Sequence, residues 1–87
     1  MPKPLRTVVY EHSVVADLEK IFGTPQRTDE ALRGFTTVLS RAPESGIKIS
    51  PHVWFMAMDG QGIWTPIVAF YTFDDAEVWI MKIQRAK

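Results

Sequence analysis

The chain has 87 residues, 46% of them hydrophobic and 23% charged, with ten basic residues balancing ten acidic ones. That is enough chain for one domain around one small core, and its composition is globular rather than disordered. Cysteine is absent, which excludes a disulfide framework, a thiolate metal site and a Cys nucleophile, and no run approaches the roughly 18–20 apolar residues of a membrane span.

Arg6-Thr7-Val8-Val9-Tyr10 is a β-branched and aromatic run and predicts a first strand. Ser13 then reads as the N-cap of a helix whose apolar residues Val14, Leu18, Ile21 and Phe22 follow helical spacing, with Asp17, Glu19 and Lys20 opposite. Gly23 and Pro25 end it. A second helix is predicted from Thr28 or Asp29, with Ala31, Phe35, Val38, Leu39 and Ala42 as its apolar stripe and Pro43 as its stop. Glu44-Ser45-Gly46 reads as a turn.

Three strands follow, over residues 52–58, 63–73 and 77–83. Asp59-Gly60-Gln61-Gly62 has strong turn chemistry, and Asp74-Asp75 is short enough to make the last pair an antiparallel hairpin. Pro66 cannot donate to a ladder, so the middle strand should bulge or start late. The predicted order is β-α-α-β-β-β: a single α+β domain over residues 1–87, with an antiparallel sheet and both helices on one face. Ile67-Val68-Ala69-Phe70-Tyr71-Thr72-Phe73 is apolar at odd and even positions alike, as a strand buried on both sides would be. The helices can cover only one side, so something else should cover the other.

Charge is distributed unevenly. No Lys or Arg occurs between Lys48 and Lys82, whereas Asp59, Asp74, Asp75 and Glu77 fall in that interval, so the sheet is a poor surface for phosphates. Met1-Pro2-Lys3-Pro4-Leu5-Arg6 has basic residues with no apolar stretch behind them, unlike a signal peptide, and a cytoplasmic location away from membranes is expected.

Three stretches resemble the RelE/ParE superfamily of bacterial toxins from toxin–antitoxin pairs. Val8-Val9-Tyr10-Glu11-His12-Ser13-Val14-Val15-Ala16-Asp17-Leu18 looks like that family's opening strand and helix. Leu39-Ser40-Arg41-Ala42-Pro43-Glu44-Ser45-Gly46 is similar to its helix end, and residues 67–83, with Tyr71 and Asp74-Asp75, are similar to its terminal hairpin. The resemblance implies an antitoxin as partner, and as activity either cleavage of ribosome-bound mRNA or poisoning of gyrase by binding. It implies no cofactor and no metal. Family nucleases usually carry a basic residue three positions before the hairpin tyrosine, where this chain has Val68. They also tend to have an Arg in the preceding strand, where His52, Trp54, Phe55 and Met56 stand. Arg85, just after the last strand, is the one matching catalytic candidate.

Cleavage of RNA by its own 2′-hydroxyl needs a base, an acid and a cation near the developing charge. Arg85 could be the cation, helped by Lys82 or Lys87, and Tyr71 or His52 could move a proton. The plainer readings are a core tyrosine, a turn histidine and a solvated basic tail. Glu11, His12 and Asp17 make a poor metal cage, because strand neighbours point in opposite directions. If Phe73 pairs with Ala76, then Val68, Phe70, Trp79, Met81, Ile83 and Arg85 share one face, and Ile67, Ala69, Tyr71, Val78, Ile80 and Lys82 the other. The resemblance places Val68 on the face away from the helices, so Phe70, Trp79, Met81 and Ile83 become the expected partner interface. The occupant would be an antitoxin or, in a non-catalytic alternative encoded on mobile or accessory DNA, a second copy in a homodimer.

Overall fold

A computed structural model describes residues 5–58 and 66–85. The elements run β1 (Thr7–Tyr10), α1 (His12–Phe22), α2 (Pro25–Arg41), a 3-10 turn (Pro43–Ser45), β2 (Ile47–Ser50), β3 (Val53–Met58), β4 (Ile67–Phe73) and β5 (Glu77–Arg85). The sheet order is β1-β5-β4-β3-β2. β1 runs parallel to β5 and the other three pairs are antiparallel, so the sheet is mixed and one strand larger than the sequence suggests. The Asp59–Gly62 turn and the start of the middle strand at 63–65 lie outside the described residues. β4 begins directly after Pro66, the late start its missing N–H requires.

Both helices pack on one side of the sheet. Val14 and Leu18 of α1 and Ala31, Phe35 and Leu39 of α2 meet Ile67, Ala69 and Tyr71 of β4 and Val78, Ile80 and Ile83 of β5 in one buried cluster. α1 starts earlier than Ser13 predicts. Its N-cap is Glu11, which makes no side-chain cap bond. Backbone contacts fix the position instead: Glu11 N–H closes on the Ile80 carbonyl and Val14 N–H on that of Glu11. Gly23 ends the helix at φ 74, where only a residue without Cβ sits without strain.

Pro25 opens α2 rather than merely ending α1. Its fixed φ and missing N–H suit a first helical position, and Thr24 caps the turn, its Oγ1 accepting from Arg27 N–H at 3.3 Å. Two residues therefore separate the helices.

Gly46 lies where the chain leaves the 3-10 turn for β2. A Cβ there would collide with the Tyr71 hydroxyl and come within 2.6 Å of the Phe55 carbonyl. The close approach lets the Tyr71 hydroxyl donate to the Pro43 carbonyl at 2.5 Å, tying the turn after α2 to the centre of the sheet.

The β4–β5 turn spans four residues, with Phe73 opposite Val78 rather than Ala76. Asp74 organises it, its Oδ1 accepting from the backbone N–H groups of Ala76 and Glu77 at 2.8 Å each. These two donors, Glu77's foremost, hold the carboxyl below the usual range. The register differs from expectation by two residues, which leaves each side chain's face unchanged.

Candidate partner-binding face

A β-bulge changes the faces further along. The ladder runs Phe73↔Val78, Thr72↔Trp79 and Tyr71↔Ile80, and then steps to Phe70↔Lys82 and Ala69↔Ile83, leaving Met81 as the extra residue. A bulge of one residue inverts the alternation beyond it. Ile83 is therefore 2% exposed within the core, against the expectation that it joins Phe70 and Trp79. Arg85 falls opposite the buried Ile67, on the helix side, and its Nη2 donates to the Ile21 carbonyl at 3.5 Å. Lys82 moves the other way, opposite Phe70 on the face turned away from α1 and α2.

That uncovered face is built in rows by the ladders. One row runs Val9, Trp79, Thr72 and, by alternation in β3, Val53. The next runs Ile47, Phe55, Phe70 and Lys82. The Phe55 and Phe70 rings lie 6.2 Å apart, tilted by 43°. Trp79 is 39% exposed and Ile47 59%, although both are large and apolar. Phe70 and Met81 are half-buried. The sequence expectation thus keeps Phe70 and Trp79 on this face and loses Ile83, Met81 is the bulge residue that the register pairs with neither row, and Phe55, Ile47, Val53 and Val9 join. Their membership depends on cross-strand register, which the β1–β5, β2–β3 and β3–β4 pairings define.

The proton-moving candidates are dispersed. Tyr71 is fully buried, and burial pushes its hydroxyl up to about 12, with the nearby Glu44 charge adding to the rise and a backbone contact from Gly46 opposing it. It is a structural hydroxyl on the helix side. His52 is exposed in the turn between β2 and β3. Lys87 lies outside the described residues. Lys82 is the only basic residue of β3, β4 and β5 that the register puts on the uncovered face, among the described residues.

In overall shape the chain is similar to three solved structures. A chain of the toxin–antitoxin complex RelBE2 from Mycobacterium tuberculosis matches at TM-score 0.70 and 23% identity, over 95% of this chain and 93% of that one. A chain of the chromosomal ParDE toxin–antitoxin system from P. aeruginosa matches at 0.69 and 17% identity, over 95% and 98%. The fold is that of the RelE/ParE toxins. An arginine double mutant of the E. coli toxin RelE in its free state, at TM-score 0.68 and 11% identity over 95% and 85%, shares the RelE/ParE-like fold as well. No family model matches the sequence, and no curated protein matches it. No helix among the described residues is long and apolar enough to cross a membrane.

Proposed function

We propose that this chain is the toxin-like member of a toxin–antitoxin pair, held by a protein partner on the face its helices leave uncovered. The observation that carries this is the apolar surface of Phe55, Phe70, Trp79 and Ile47 on a RelE/ParE-like sheet. Trp and Phe at the centre of a patch are what hot spots are made of, and a free monomer showing such a face would be prone to associate. Two of the structural neighbours belong to toxin–antitoxin assemblies, which supports an antitoxin as the occupant.

Within this reading, action by binding a target is favoured over RNA cleavage. Tyr71 is buried and its hydroxyl pushed up by that burial, Arg85 is turned to the helix side, and among the described residues of β3, β4 and β5 Lys82 alone brings positive charge to Phe70. One lysine does not assemble the base, acid and cation of a ribonuclease.

Controlled induction of the chain in a bacterial host tests the proposal. Arrest of growth, relieved by co-expression of the partner, supports it. Normal growth with abundant folded protein overturns it. If the purified chain then sediments as a tight dimer, a second copy rather than an antitoxin covers the face.

A further inference from the structure

The edge formed by β2 is the barest part of the sheet. β3 is its one strand neighbour among the described residues, and the sheet's share of the buried cluster beneath the helices comes from β4 and β5. Ile47 is 59% exposed and Ile49 51%, more than any other large apolar residue described in the sheet. Residues two apart in a strand share a side, and Ile47 stands opposite Phe55, so both isoleucines border the uncovered face. The ladder steps from Lys48↔Trp54 to Ser50↔Val53. Ile49 is therefore the extra residue of a bulge, with no β3 residue opposite it.

Proteins blunt an open edge with a lysine or a bulge. Here neither makes the edge polar. The Lys48 Nζ lies 6.0 Å from the centroid of the Trp54 ring, and Trp54 pairs with Tyr71 on the helix side. The charge is drawn back over its own sheet. The bulge shortens the edge but leaves an isoleucine on it. Ten basic residues balance ten acidic ones, so two copies of the chain meet without net repulsion.

We propose that a second copy of this chain pairs at this edge, β2 against β2 in antiparallel sense about a two-fold axis through Lys48. That axis stands perpendicular to the sheet and puts Ile47 of each copy opposite Ile49 of the other. Ile49 gains the neighbour that β3 does not supply. Self-complementarity selects a second copy over an unrelated strand: the rotation that pairs the main chains also gathers four isoleucines on one side. Lys48 meets its own symmetry mate, a like-charge contact that costs affinity and that Trp54 relieves by holding the ammonium back. Such an isologous contact closes at two copies. Both uncovered faces then lie on one side and both helix pairs on the other. About three residues from each copy fall well short of the roughly 1,600 Å² of a standard interface, so the dimer is weak, half-formed near about 100 μM. The proposal goes beyond the function above and rests on it in one consequence: the partner would meet two uncovered faces side by side.

Sedimentation velocity of the full chain from about 10 μM to about 1 mM tests this, with amide exchange measured at both ends of the range. Expected is a reversible monomer–dimer equilibrium that Trp79→Ala leaves unchanged, with slower exchange in residues 47–50 at the higher concentration. Ile49→Lys, at an exposed position, should weaken the dimer at least about tenfold. A monomer throughout the range, a dimer indifferent to Ile49→Lys, or one lost in Trp79→Ala would each overturn the proposal. A chain that arrests growth yet stays monomeric loses only the β2 contact. One that dimerises as expected without arresting growth loses the toxin reading and keeps the contact.

Discussion

Replacing Ile83 by alanine separates the bulged strand from an unbroken one. In the structure Ile83 is 2% exposed, opposite Ala69 in the core. Removing its larger side chain from a packed site should cost about 2–5 kcal/mol, transfer and cavity terms together. In a domain this small each kcal/mol shifts the melting temperature by about 4–8 °C, so the variant should melt about 10 °C or more below the parent. Lys82→Ala, one residue earlier on the exposed side, should change it by no more than about 0.5 kcal/mol. Met81 is half-buried in the bulge, and its truncation should fall between the two. Thermal melts followed by circular dichroism are sufficient. If Ile83→Ala melts with the parent and Lys82→Ala is the damaging change, the alternation is unbroken, and the assignment of Arg85 and Lys82 to their faces fails with it.

Three further outcomes follow from single contacts. Gly46→Ala forces a methyl against the Tyr71 hydroxyl and the Phe55 carbonyl and should destabilise by about 1–3 kcal/mol; Tyr71→Phe in the same chain should recover only part of this in urea unfolding, since the carbonyl remains. Tyr71 titrates near 12 in the fold against about 10 when unfolded, so its contribution is complete below about pH 10 and is lost as pH rises through 12. Alkaline melts should show this loss, and Tyr71→Phe should flatten it. Thr24→Ala removes the cap of α2 and should cost about 1 kcal/mol in the same urea assay.

Much of this architecture is legible in the residues. The stripes Val14–Leu18 and Ala31–Phe35–Leu39 predict both helices and their buried sides, and Asp74-Asp75 predicts the hairpin. What escapes is set by tertiary partners. β2 is four residues, Ile-Lys-Ile-Ser, whose alternation is too short to stand out and which exists as a strand only by pairing with β3. Pro25 is easily taken for a helix stop, although the preceding Thr24 is the signal that it opens α2. Nothing in Met81-Lys82 announces a bulge. Yet that one residue decides that Ile83 is core, that Arg85 leaves the candidate site and that Lys82 enters it.

The central claim is that the uncovered sheet face is the working surface of a toxin-like domain. Growth after induction of face-specific variants tests it most directly. Phe70→Ala/Trp79→Ala should restore growth at equal soluble protein, while Val38→Ala, at an exposed position on α2, should arrest growth like the parent. Arrest that persists in the Phe70/Trp79 variant, or that is lost in Val38→Ala instead, would contradict the account.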